Sequence, residues 1–307
     1  MNNTLWHKGI GADVSPGMTI DQQLEKAGLN WQVGTSEIQY GDRFEYQAKA
    51  KKTLYRLDNG QLLDVVGKDW KPYQNSELLQ VFHEFCESAN LELNHLGSLD
   101  KGKTIFASAD LPIEIDVRKV GDIVRGRLLL FNHHKLGYGL NIKVQFERLV
   151  CTNGLTTPVR IGNRIVNHVS AFNPDKVRQI LESTFDAAKN FKEDAELLAN
   201  TPISYHQALL ILIAHFGDMK APLEKQPTIV NECLHLFCGI AKGSELLSAY
   251  NTSWGLLNAV TEYFNHHSQV RGGSSTHLNS LLLGNRANRQ QSFYQSLVGV
   301  HSRESLT

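Results

Sequence analysis

What this sequence is short of narrows it first. Its 307 residues include four cysteines, Cys86, Cys151, Cys233 and Cys238, and no two form a CxxC pair. The usual cysteine signature of a zinc or redox site is therefore missing, and reduced, mostly buried thiols are expected. Net charge is missing too. Lys plus Arg number 31 and Asp plus Glu number 31. That balance excludes a globally basic nucleic-acid binder but not a local basic surface. No long apolar run occurs. The longest, ALLILIAHF at 208–216, is far shorter than the ~20 residues of a membrane span. The start, MNNTLWHKGIGAD, lacks the charged segment and apolar run of a secretory signal. A cytoplasmic protein without a membrane partner is expected.

Catalytic signatures are equally scarce. There is no GxxxxGK[ST] and no GxGxxG after a strand, so no recognisable nucleotide cradle. No GxSxG elbow and no HExxH appear. The acids are scattered, with no pair that spacing nominates as a two-metal site. No catalytic residue and no cofactor is expected from motif.

What is present is organised in two parts. Up to about residue 165, strand-like runs alternate with turn signals. Thr19 caps a short helix, TIDQQLEKAG. LNWQVGTSEIQY reads as a strand. KKTLYRLDNGQLLDVVG is a hairpin around Asn59-Gly60, the strongest short turn signal. NSELLQVFHEFCESANL reads as a helix capped by Asn75 or Ser76, with Leu78, Leu79, Phe82, Phe85 and Cys86 as its apolar stripe. KTIFASADL, VGDIVRGRLLLFN and NIKVQFERLV follow as strands. Beyond residue 165 the patterns are helical. Asn173-Pro174-Asp175 opens the first helix, with Phe185 and Ala188 on its buried stripe. Others run near 204–216, 228–241, 252–267, 276–283 and 286–299. The fold class expected is α+β: an antiparallel, hairpin-rich sheet with helices over 1–165, then an all-helical region over 166–307 packed on it.

Several residues invite a chemical reading. His133 and His134 are adjacent, and adjacent strand residues face opposite ways, so a shared metal ion is not expected. A polar or phosphate-touching loop pair is. Cys233, His235 and Cys238 resemble a ligand set. On a helix, however, positions 233 and 235 diverge by about 200°, and Leu234, Phe237 and Ile240 argue for core. His266-His267 suits a helix C-terminus. No metal is expected at any of these places.

Charge is distributed unevenly. From Val117 to Arg164 there are nine cations, Arg118, Lys119, Arg125, Arg127, Lys135, Lys143, Arg148, Arg160 and Arg164, against Asp122 and Glu147. That is a formal +7 inside a neutral chain. Lys49, Lys51, Lys52 and Arg56 make a second cluster. Such asymmetry suits phosphates, and equally an ordinary charged face. Arg125 and Arg127 share a strand face and could form a phosphate fork. Candidate nucleic-acid contacts are Arg125, Arg127, His133, His134, Lys135, Lys143, Arg160 and Arg164. Tyr138, Phe131, Tyr55 and Trp70 are available for stacking.

Strand phase singles out Arg148. In NIKVQFERLV it lies on the face of Ile142, Val144 and Phe146. A buried arginine must be paired or ligand-bound. In TSWGLLNAVTEYFNHH, Trp254, Asn258 and Glu262 share one helix face. The expectation is that Asn258 or Glu262 satisfies a buried polar group, with Arg148 the leading candidate and Asn153 nearby.

These stretches also carry a resemblance. Trp6 with AGLNWQV (27–33), VGKDWKPYQNSELLQVF (66–82), GSLDKGKTIFASADL (97–111), FNHHKLGYG (131–139), ERLVCTNGL (147–155), WGLLNAVTEYFNHH (254–267) and LLLGNRANRQQSFYQSL (281–297) occur in family order. On them the chain resembles the phage/plasmid-like protein family, a domain of unknown function (number 932). Asn132-His133-His134-Lys135 stands where that family commonly has Ser-His-Asp-Gly. The resemblance implies a mobile-element protein, with no catalytic residue to carry over and a loose fold-level similarity to phage single-strand annealing recombinases. Three readings stay open. The first is a non-enzymatic nucleic-acid binder, acting on single-stranded DNA in recombination or replication. The second is an enzyme or host-modulating protein with a pocket between 131–155 and 252–267. The third is a homo-oligomeric scaffold for an acidic partner.

Overall fold

The computed structural model describes residues 6–136, 141–151, 153–158, 174–268 and 271–304. Antiparallel sheets occupy the N-terminal half and helices the C-terminal half, as the alternation of patterns requires. The strands are β1 (Ala12–Asp13), β2 (Val33–Tyr40), β3 (Tyr46–Arg56), β4 (Leu62–Gly67), β5 (Leu93–Leu99), β6 (Thr104–Val117), β7 (Asp122–His133), β8 (Asn141–Arg148) and β9 (Asn153–Pro158). The helices are α1 (Ile20–Lys26), α2 (Asn75–Ser88), α3 (Pro174–Ala199), α4 (Tyr205–Phe216), α5 (Thr228–His235), α6 (Ser253–Glu262), α7 (Ser274–Leu282) and α8 (Asn285–Glu304). Helices α5 and α6 each run on into a π turn, Leu236–Ile240 and Tyr263–His267.

The main sheet has six strands in the order β1-β5-β6-β7-β8-β9, and the smaller sheet has three, β2-β3-β4. Both faces of the main sheet are covered. Along β7 and β8 the side chains alternate. Leu128, Leu130, Ile142, Val144 and Phe146 enter the larger core, with Phe82 and Phe85 of α2, Phe191 and Ala195 of α3, and Leu256 and Val260 of α6. Leu129 and Phe131 point the other way. They join Leu99 and Phe106 in a smaller cluster closed by Leu278 and Leu282 of α7. The unbroken run LLLF in β7 follows from this two-sided burial. The larger core takes residues from both halves of the sequence.

Local signals place most element ends. The Thr19 side chain accepts from the Gln22 N–H, and Gln22 answers at the Thr19 N–H. Four local expectations are corrected. The cap of α2 is Gln74, boxed with Glu77. Asn75 instead turns inward, its amide donating to the carbonyls of Leu29 and Trp31. Phe185 and Ile240 are exposed, at 46% and 70%. The first faces outward from α3, and the second follows Gly239, whose φ of 113° breaks the helical register. The strand β9 occupies a segment to which the pattern assigns no strand, and it completes the sheet edge.

The smaller sheet is held by one end only. Leu54, Leu63 and Val66 are buried in the core. Beyond the last β3–β4 pair, Lys51 with Gly67, β3 bulges against Ile38, and β2 and β3 pair again at Gln39–Gln47 and Tyr40–Tyr46 to form a two-stranded ribbon. Its residues, TSEIQYGDRFEYQAKA, are exposed or half-buried throughout.

Candidate functional site

Arg148 is buried, 3% exposed, as its strand phase demands. Its partner is Asp122 at the start of β7, not Glu262. The Arg148 Nε and Nη2 atoms donate to the Asp122 carboxylate at 2.6 and 2.9 Å. Asp122 is fully buried and also accepts from Ser248 Oγ at 2.6 Å and Trp254 Nε1 at 3.0 Å. The remaining Arg148 donors reach the carbonyls of Lys242 and Gly243. Burial disfavours the guanidinium charge, but the hydrogen bonds and charge of Asp122, together with Cys151 beside it, outweigh it, and the pKa moves up. The centre fastens β7, β8, α6 and the loop before α6 to one another.

The expected Arg148–Glu262 relation exists only through the backbone between them. Glu262 Oε2 accepts from the Lys242 N–H at 3.2 Å, on the same peptide segment whose carbonyls Arg148 takes. Asp122 precludes a direct pair because it sits on the neighbouring strand, two residues from Val124, which is opposite Arg148. Gly243 lets the loop come this close. Its φ is +69°, and a Cβ there would lie 2.7 Å from Val150 Cγ1 and 3.1 Å from Arg148 Nη2. The Trp254–Asn258–Glu262 strip is buried throughout. Asn258 donates to the Trp254 carbonyl, and Asn153 donates to the Asn258 carbonyl.

Arg148, Asn153, Trp254 and Asn258 do line one cavity between β8, β9 and α6. Its volume is about 20 Å³, room for a single water molecule and not for a substrate. Thiol chemistry is no better supported. Burial pushes Cys86 up to about 12 and Cys151 up to about 11, and raises Cys233 further.

The +7 segment is largely matched within the fold. Arg125 and Arg127 share a face as expected, but they form no free phosphate fork. Arg125 pairs with Glu114 at 3.1 Å, and Arg127 with Asp110 at 3.1 Å and Glu147 at 2.8 Å. Trp6 stacks on the Arg127 guanidinium, 4.7 Å from the ring centre. Lys135 pairs with Asp100 at 2.7 Å. Lys143 donates to the carbonyl of Leu282, the last residue of α7, and burial pushes its ammonium down to about 8. Arg118 donates to the Leu247 carbonyl. The histidine pair is not a surface feature. His133 and His134 are buried, the first hydrogen-bonded to Thr104 Oγ1 and the second to Asn75 Oδ1. The reason is pairing: β7 runs on to His133, opposite Thr104. Arg160, Arg164 and Tyr138 lie outside the described residues.

The second basic cluster is placed differently. Lys49 and Lys51 are exposed on the β2–β3 ribbon and make no ion pair among the described residues. At the ribbon's end Tyr40, Phe44 and Tyr46 are 55%, 68% and 56% exposed. The Tyr40 and Tyr46 rings lie 5.5 Å apart. Phe44 has φ of +58°, an uncommon conformation for an aromatic residue. The sequence pattern singles out the lysines but not these aromatics. Among the described residues one trio has metal-ligand chemistry, His7, Asp13 and His95. No motif announces it, because its members are scattered along the chain. No helix among the described residues is long and apolar enough to cross a membrane.

A family profile matches residues 62–284, from β4 to just past α7. The chain belongs to the domain of unknown function family DUF932. The DUF932 match contains the whole Arg148–Asp122 centre. Neither the curated proteins nor the solved structures offer a match.

Proposed function

We propose that this chain is a non-enzymatic nucleic-acid-binding protein of a mobile element, acting in the cytoplasm, and that it holds single-stranded DNA along the β2–β3 ribbon. One observation carries the reading: three exposed aromatic rings stand at the ribbon's end, with Lys49 and Lys51 three and five residues along β3 from Tyr46 and in no ion pair among the described residues. Bases stack on such rings for about 1–3 kcal/mol each, whatever their identity, while lysines follow the phosphates. The ribbon has reach, since β3 runs from Lys51 out to Tyr46, up to about 20 Å at 3.3 Å per residue. The resemblance to phage and plasmid proteins agrees with this use. The enzyme reading has less behind it, because its pocket holds no more than a water.

The test is fluorescence anisotropy with a labelled oligonucleotide, single-stranded and duplex. The proposal expects saturable binding to the single strand. Replacing Phe44 and Tyr46 by Ala removes two stacking partners and weakens binding by at least about tenfold. Binding to neither nucleic acid at low salt, or binding indifferent to both substitutions, defeats it.

A further inference from the structure

The amino-terminal segment crosses the edge of the main sheet on the side of the smaller core. There β1 pairs with β5, Ala12 opposite Leu96 and Asp13 opposite His95. Trp6 and Ile10 pack against the cluster of Leu99, Phe106, Leu129 and Phe131. The approach is close. A Cβ on Gly11 would lie 2.3 Å from the Leu96 carbonyl oxygen and 2.9 Å from His95 Nε2. Two imidazoles are stacked in this seam, His7 on His95, with ring centres 3.9 Å apart. Both are buried.

Their polar atoms do not balance as an ordinary core would. His7 Nδ1 is buried and has no hydrogen-bond partner among the described residues. His95 Nε2 lies 2.8 Å from the Ile10 carbonyl oxygen, and His95 Nδ1 lies 2.8 Å from Asp13 Oδ1. Both His95 neighbours are acceptors, whereas a neutral imidazole has a single N–H to give. A lone pair is therefore left facing oxygen unless the ring carries a second proton or a metal ion intervenes. Burying polar atoms unpaired is costly, and an aliphatic side chain in either place would avoid it.

We propose that a ring nitrogen of His7, Nδ1 of His95 and a carboxylate oxygen of Asp13 form a site for a divalent first-row transition-metal ion of the zinc class. One atom from each of the three lies within 4.8 Å of the others. Ligands of a tetrahedral zinc ion stand about 3.4 Å apart and the ion lies in the plane of each imidazole that binds it, so His7 must turn out of its stack on His95 and the Asp13–His95 contact must open slightly. Two nitrogens and one carboxylate oxygen suit zinc, cobalt or nickel more than magnesium or calcium. The Ile10 carbonyl then takes the outer proton of His95, the arrangement that fixes a ligating imidazole's orientation. The Asp13 side chain is 81% exposed, so the ion has an entry path and a fourth position facing solvent. Arg127, the nearest cation beyond Trp6, is already matched by Asp110 and Glu147. Bound there, the metal clamps residues 6–13 onto β5 and onto the smaller core.

The experiment uses untagged full-length protein, stripped with a chelator and titrated with Zn²⁺ and with Co²⁺. Bound metal is measured directly, Co²⁺ coordination by its visible absorption, and thermal unfolding alongside. The expected result is one equivalent bound at micromolar metal, a tetrahedral Co²⁺ spectrum and a raised Tm. His7→Gln and Asp13→Asn each weaken binding by at least about tenfold, while His206→Gln, exposed on α4, leaves it unchanged. Asp13 is exposed, so its variant keeps the fold even should a change at His95 not. No binding at micromolar metal, or binding that both His7→Gln and Asp13→Asn leave intact, overturns the proposal and leaves a hydrogen-bonded Asp13–His95 pair only.

Discussion

Replacing Asp122 by Ala removes the carboxylate that neutralises the Arg148 guanidinium. Arg148 keeps two carbonyl acceptors, Lys242 and Gly243, at 3.2 and 3.0 Å, but its charge loses its counterion in a site 3% exposed. Breaking one partner out of such a buried pair costs about 3–5 kcal/mol. The indole N–H of Trp254 and the hydroxyl of Ser248 also lose their acceptor, and an orphaned buried donor adds about 1–3 kcal/mol. The loss expected for Asp122→Ala is therefore at least about 4 kcal/mol, a large share of the 5–15 kcal/mol that a domain has in total. The partner variant Arg148→Met leaves the carboxylate with Ser248 and Trp254 and costs a similar amount. The double variant Asp122→Ala/Arg148→Met leaves no unpaired charge, so it loses less than the sum of the single losses by about 2 kcal/mol. Urea unfolding measures all three, with the m-value checked for constancy. A loss below about 1 kcal/mol for Asp122→Ala, or strict additivity in the cycle, refutes the view that this ion pair holds the sheet to the helical half.

Three other outcomes follow from the same coordinates. Gly243→Ala forces a side chain into a left-handed conformation against Val150 and Arg148, and urea unfolding should show a loss of about 1–3 kcal/mol. His266 is held neutral by burial and by Lys8 and Lys242, its pKa lowered from 6.5 to about 4. The unfolded chain thus binds that proton more readily, so the stability falls as pH drops from 6.5 towards 4 and gains nothing further above 6.5. His266→Gln should flatten that part of a pH series of urea midpoints, and an unchanged slope would contradict it. Reversing Arg125 to Glu, beside Glu114 and away from the ribbon, should leave oligonucleotide affinity within about twofold in the anisotropy assay, because an exposed pair already matched offers little to phosphate.

The fold was legible wherever a local rule governs it. Asn59-Gly60 announces its hairpin, Thr19 and Pro174 their helix starts, and period two in β7 and β8 places Arg148 inside. The identity of its partner was also there to be read. Asp122 keeps step with Val124, Leu128 and Leu130 on the same buried face, an acid as misplaced as the arginine. Helix periodicity points instead to α6, where Glu262 is buried too. That Glu262 reaches the Lys242 N–H depends on how a loop almost a hundred residues from Arg148 in sequence is draped over the strand, which no spacing encodes. Net charge misled for a related reason. Counting charges along 117–164 ignores that strand pairing sets Asp110 and Glu114, which lie before that stretch, against Arg127 and Arg125. The ribbon's aromatics and the His7–Asp13–His95 trio escape a linear reading because what marks them, exposure in one case and convergence across more than eighty residues in the other, exists only in three dimensions.

The measurement that bears most directly on the proposed function is the salt dependence of single-stranded DNA affinity, for the native chain and for Lys49→Glu/Lys51→Glu. If those lysines neutralise phosphates, log Kd rises linearly with log salt, and the double reversal lowers that slope by about 1.4, or roughly 0.7 for each phosphate no longer neutralised. A slope the same in both proteins, or no measurable binding at low salt, would contradict the account.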